Sequence, residues 1–166
     1  MVNIKRWCIH SFMPPWSWRR KFTSKILGDI EQAITASENL HRGELRFVIE
    51  NALAPALVWR GVTTHQRAVA LFAQLGVWDT EENTGILIYL SLADREAHIL
   101  ADRGIAKHVS QAEWQAIASA MQREFKIGQY RQGALLGINQ ITTLLGRHFP
   151  AGIDNLNELS NNPLIL

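Results

Sequence analysis

Two short acidic segments carry the residue types best suited to chemistry. One is Asp79-Thr80-Glu81-Glu82-Asn83, and the other is Asp102-Arg103-Gly104. Their donors are carboxylate and amide oxygens, which suit a hard cation such as calcium or magnesium. Arg103 adds a guanidinium able to clamp an anion through two parallel N–H bonds. Glu44 could join this oxygen-rich set, and His41 would admit a softer metal. With a metal bound, the set could hold a phosphate group while a carboxylate activates water. The same acids can equally serve as caps, turn formers and surface ion pairs. Residue types leave both readings open.

The elements that must position these residues are legible. Ile86 to Leu92 is apolar except for Ser91, the pattern of a strand buried on both faces. Glu96 to Ala101 is a second short strand, and the polar Ala93-Asp94-Arg95 link predicts a hairpin. An antiparallel hairpin sets the start of its first strand beside the end of its second. Asp79, Glu81, Glu82 and Asn83 should therefore meet Asp102 and Arg103 at one edge. Glu44 to Asn51 alternates apolar and polar residues and reads as an earlier strand. It is joined to Ile86–Leu92 through a helix, so these two strands should be parallel. Parallel placement brings His41 and Glu44 to the same rim.

Four helices complete the pattern. Thr23 or Ser24 caps the first, which runs to about Glu38 with Ile26, Leu27, Ile30, Ala33 and Ile34 as its stripe. Thr63 or Thr64 starts the second, through Gln74. Ser110 caps the third, Gln111 to about Phe125, and the fourth runs from about Tyr130 to Gly146. Gly133 and Gly137 lie one turn apart on the fourth and permit close packing of helices. Ala52 to Arg60 fits either a continued strand or a helical turn. The expected fold class is α/β: a three-layer α/β/α sandwich around a small mixed sheet, with a βαββ core followed by two C-terminal helices.

The 166 residues divide into an arm (1–22), a domain (23–150) and a tail (151–166). The arm holds Trp7, Phe12, Met13, Trp16 and Trp18 among basic residues, and Pro14-Pro15 prevents one continuous helix. It could dock on a membrane surface or a protein partner, but packing of its tryptophans on the domain is the expected arrangement. Lys5, Arg6, Arg19, Arg20, Lys21 and Lys25 all precede the first acid, Asp29. The net charge of +2 gives no polyelectrolyte character, so no nucleic-acid partner is expected. One cysteine, Cys8, leaves no internal disulfide framework and no cysteine zinc site. No apolar run reaches the roughly 18 residues of a membrane span, and no apolar segment follows Arg19-Arg20 to make a leader. A cytoplasmic location is expected. The phosphate-binding G-x-x-x-x-G-K, dinucleotide G-x-G-x-x-G, nucleophile-elbow G-x-S-x-G and zinc H-E-x-x-H patterns are missing. No nucleophile stands out, and His65 and His98 read as packing or surface residues.

Several segments together resemble the TPM-domain family. They are Val77-Trp-Asp-Thr-Glu-x-Asn-x-Gly-Ile-Leu-Ile-Tyr-Leu, Leu92-Ala-Asp-Arg, Ala101-Asp-Arg-Gly-Ile, His41-Arg-Gly-Glu-Leu-Arg-Phe, Arg67-Ala and Phe125-x-x-Gly-x-Tyr-x-x-Gly. The resemblance covers roughly Ser24 to Pro150, and the closing Asn157-Glu-Leu with Pro163-Leu-Ile-Leu looks like a short proteobacterial branch. It implies the α/β/α sandwich. The family includes a plant thylakoid-lumen protein linked to photosystem II repair and described as an acid phosphatase, and bacterial members that bind divalent cations. The family's Asn-Gly before the central strand here reads Asn83-Thr84-Gly85, one residue looser. The resemblance carries Asp79, Glu81, Asn83, Asp102 and Arg103 over as candidate positions; Glu44 and His41 enter as candidate ligands by geometry. It implies either a cation-binding interaction module or a metal-assisted phosphatase. In the second case Asp79, Asp102 and Arg103 would carry catalysis.

Overall fold

A computed structural model describes residues 3–152 and 156–166. Residues 1 and 2 of the arm and 153–155 of the tail lie outside the described residues. The elements are α1 (Ile4–Phe12), a 3-10 turn (Ser17–Arg20), α2 (Ser24–Glu38), β1 (Glu44–Glu50), α3 (Pro55–Trp59), α4 (Thr64–Gln74), β2 (Gly85–Ser91), β3 (Glu96–Ala101), α5 (Arg103–Ala106), α6 (Gln111–Lys126), α7 (Tyr130–His148) and β4 (Leu164–Ile165). The sheet order is β3-β2-β1-β4. β1 and β2 run parallel from Glu44 beside Gly85 to Glu50 beside Ser91, and β3 returns antiparallel against β2.

The alternation in the strands decides the layering. Leu45, Phe47 and Ile49 of β1, with Ile86, Ile88 and Leu90 of β2, share one core with α2, α6 and α7. Val48, Leu87 and Tyr89 point the other way onto Ala68 and Leu71 of α4. The result is a three-layer α/β/α sandwich around a mixed sheet. β2 is buried along its whole length because helices cover both of its faces. Truncating Phe47, which is fully buried, to alanine should cost about 3–5 kcal/mol.

The helix starts follow the capping chemistry. Thr23 caps α2 by accepting from Ile26 N, and Thr63 and Ser110 form reciprocal capping boxes with Gln66 and Glu113. Gly137 lets α7 sit against Met121 of α6, whose sulfur would lie 2.3 Å from any Cβ there. The Ala52–Arg60 segment resolves as the short helix α3 with Pro55 in its first turn.

Two elements escape the sequence pattern. The tail supplies β4, which extends the sheet parallel to β1 with Val48 beside Leu164. Arg46 Nη1 donates to the carbonyls of Ser160 and Asn162, both at 2.8 Å, and holds the tail along this edge. The arm forms α1 and packs on the domain at the carboxyl ends of β1 and β2. Trp7 meets Trp59 edge-on at 6.2 Å. Arg6 makes a two-pronged contact with Asp94 at 2.7 and 3.0 Å, and His10 accepts a bond from Leu53 N at 2.9 Å. Among the described residues, no helix is long and apolar enough to cross a membrane.

Candidate functional site

The rim at the amino ends of β1 and β2 gathers most of the residues singled out by sequence, in two groups joined by the turn at Glu81–Thr84. The first group is Asn83, Asp102 and Arg103. Pairing of Ile86 with Ala101 places the start of β2 beside the end of β3, so Asp102 N donates to Gly85 O at 2.9 Å. Asp102 then caps α5, its Oδ1 accepting Arg103 N at 2.7 Å. Arg103 Nε donates to Asn83 Oδ1 at 2.9 Å, and Gly104 N to Asn83 O at 3.1 Å. Asn83 has a φ of 56°, a left-handed conformation that asparagine tolerates. The absent side chain of Gly104 is what allows this approach, since a Cβ there would lie 2.5 Å from Asn83 O. Asp102 is only 8 % exposed, and its Oδ2 is buried with no hydrogen-bond partner.

The second group lines a cleft of about 30 Å³ formed by Arg42, Glu44, Glu81, Glu82 and Glu158 with neighbouring Thr84 and Leu156. Glu44 is buried, and its Oε2 accepts the backbone N–H groups of Glu158 and Leu159, each at 3.0 Å. Burial pushes its pKa upward, against the lowering effect of those two bonds. The Glu158 carboxylate accepts Glu81 N at 3.0 and 3.2 Å. Arg42 grips Glu82 at 2.8 and 3.0 Å in an exposed pair. Asp79 is exposed in the preceding turn and lines neither group.

His41 stands apart from its expected role. It is fully buried, and burial pushes its pKa down to about 4. Its Nδ1 accepts from Gly43 N at 3.1 Å, which leaves the proton on Nε2 facing Ser37 Oγ at 2.7 Å. Ser37 meets Thr142 Oγ1 at 2.7 Å, and Thr142 donates to Ile138 O. Both ring nitrogens serve this interior chain of hydrogen bonds, so His41 has no lone pair to offer the rim.

Two carboxylates were not legible in the sequence as site residues. Glu158 comes from the tail and reaches the rim only because β4 folds back along β1. Glu38, at the end of α2, is buried beside Glu44 in a second cavity of about 100 Å³ lined also by Thr35, Asn39, Asn157 and Asn161. Its Oε1 accepts Leu45 N at 3.0 Å. Burial and the nearby Glu44 push its pKa up to about 7, outweighing the bonds from Leu45 and Asn161. An acid on the inward side of a helix end was the only available signal.

The rim is rich in hard oxygen donors. Among the described residues, however, no three His, Cys, Asp or Glu side chains converge to hold a metal ion. Uptake of a cation would require the exposed Glu81 and Glu82 side chains to swing. A wide concavity of about 550 Å³ between α6 and α7 lies outside the rim and is lined by Ile117, Ala120, Arg123, Leu144 and Arg147 among others.

The TPM-domain family model matches residues 22–144. Among solved structures, the chain is similar to the NMR structure of the BA42 protein from the psychrophilic bacterium Bizionia argentinensis. That likeness has a TM-score of 0.77 and 29 % identity, and covers 87 % of this chain and 95 % of that one. No curated protein matches.

Proposed function

The chain belongs to the TPM-domain family, and from that premise we propose that its acidic rim takes up a hard divalent cation, calcium or magnesium, and acts as a cation-dependent binding module. The observation that carries this reading is Asp102 Oδ2, a buried carboxylate oxygen without a donor. An orphaned anionic oxygen is costly in a protein interior, and a cation would relieve it. Asn83, held by Arg103 and Gly104, adds an amide oxygen in the same group, and Glu81 and Glu82 present exposed carboxylates from the adjoining turn. Asp79 and Glu44 belong to the proposed acidic surroundings; His41, whose nitrogens are engaged inside, does not. The proposal includes a cytoplasmic setting.

The test is a thermal melt with calcium, magnesium, manganese or chelator, on wild type and on Asp102→Asn. Saturation to about 100 Kd stabilises the folded state by about 2.7 kcal/mol. For a domain of this size, that should raise the wild-type midpoint by roughly 5–10 °C. Asp102→Asn should show no rise while keeping its circular dichroism. An equal shift in both proteins, or none at millimolar metal, removes the cation from this site.

Arg103 favours a second reading. Its guanidinium is exposed beside Asp102, where it could steady a phosphate ester brought to a rim-bound metal. That alternative is a metal-assisted phosphatase. It requires metal-dependent release of phosphate that disappears in Asp79→Asn and Asp102→Asn without unfolding.

A further inference from the structure

Helix α1 is built inside out. Its charged Arg6 and its His10 face the domain, where they hold Asp94 and Leu53. Its apolar side chains face solvent: Ile4 is 68 % exposed, Ile9 44 % and Phe12 78 %. On a helical wheel these three fall in one arc with Lys5 and Cys8. The aromatic surface continues into Trp16, 62 % exposed, and Trp59, 59 % exposed, which lies beside Trp7 of α1. By contrast α2, α4, α6 and α7 bury Ile30 and Ile34, Leu71, Met121, and Ile138 and Ile141 respectively. An apolar helix face left outward by this much is an interaction surface.

The charge around that face selects its partner. Lys5, Arg19, Arg20 and Lys25 lie in or shortly after α1 in the chain, and Arg60 follows Trp59; all five are exposed and make no ion pair among the described residues. Arg95, exposed on the hairpin turn, is close enough to depress the pKa of Lys21, chiefly lowered by burial. Of the acids at this end, Asp94 lies between Arg6 and His10, Glu50 is held by Arg67, and the exposed Glu96 is outnumbered by these cations. Exposed tryptophan, phenylalanine and isoleucine flanked in sequence by unpaired lysine and arginine match the interface of an anionic bilayer. The rings enter the headgroup boundary while the cations meet lipid phosphates.

We propose that the outward face of α1, with Trp16, Trp59 and the flanking basic residues, docks the domain on an anionic lipid surface. At nine residues the helix is too short to span a bilayer, so it would lie in the plane of the interface. The docking needs no cation at the rim and stands apart from the function proposed above.

Flotation of the full chain tests this. Vesicles would be phosphatidylcholine alone, or phosphatidylcholine with roughly one-third phosphatidylglycerol. The protein should float only with the anionic vesicles and be released by high salt. Phe12→Ser with Trp16→Ser, and separately Arg19→Glu with Arg20→Glu, should each weaken partitioning by about tenfold or more. These side chains are exposed, so circular dichroism and melting should match wild type. Failure to float, equal binding to neutral vesicles, or wild-type binding by both variants would overturn the proposal. Self-association abolished by Phe12→Ser, without lipid binding, would overturn it in favour of a second copy of the chain.

Discussion

At the carboxyl ends of β1 and β2, ionic groups are buried in matched pairs. Arg67 wraps the Glu50 carboxylate at 2.8–3.1 Å while Tyr89 donates its hydroxyl to the same group at 2.7 Å. Arg6 and His10 close on Asp94, whose pKa is lowered because their bonds outweigh the upward push of burial. At the amino ends the balance is reversed. Acids outnumber cations, the Arg42–Glu82 pair is open to water, and Asp102 keeps an oxygen without a donor. One end spends its charges on cohesion and the other keeps them available. In a sheet whose strands offer ligands at either end, that difference separates scaffold from site.

The comparison breaks most visibly at Arg67. Removing it strands a buried carboxylate, and such breaks cost about 3–5 kcal/mol. Urea denaturation of Arg67→Ala should show a loss of that order with an unchanged slope.

A comparable effect should appear in pH dependence at the other end. Glu38 titrates near 7 in the fold against an ordinary 4.5. The folded state therefore holds the extra proton between those values, and stability falls as pH rises. His41 titrates near 4 against 6.5. There the unfolded state holds the extra proton, and stability rises with pH across that window. Each contributes about 3 kcal/mol, so the two slopes oppose one another between pH 4.5 and 6.5 in wild type. Glu38→Gln should expose the rising slope and His41→Gln the falling one, read by denaturation series across pH.

Arg6→Ala should cost about 2 kcal/mol, the order expected for a partly buried, charge-assisted pair. Hydrogen exchange should quicken in α1 while the amides of β2 keep their protection. Arg42→Ala closes the series. Its pair with Glu82 is more than one-third exposed on both sides, so stability should move by no more than about 0.5 kcal/mol.

The sandwich was legible because its core elements obey simple periods. Ile86–Leu92 reads as a doubly covered strand, and Ile30 and Ile34 or Ile138 and Ile141 recur at helical spacing. The contact of Asn83 with Arg103 followed from hairpin geometry alone. The rest depended on contacts that periodicity does not encode. α1 has its polar residues inward, so a rule that buries apolar side chains gives the wrong face. β4 is two residues long and exists only because Arg46 and β1 hold the tail. Glu158 enters the rim through that same fold-back, and Glu38 reaches Glu44 from the inward side of the end of α2. His41 has a metal ligand's chemistry but lies one layer too deep, among Ser37 and Thr142.

The length of β1 has a further consequence. Its seven residues set the acidic rim about 20 Å from the α1 end. At physiological ionic strength the field of a charged surface decays over about 8 Å. A bilayer held at α1 would therefore neither concentrate nor deplete cations at the rim. The midpoint of a calcium titration should be the same on vesicles as in solution, and the two events should combine without cooperativity.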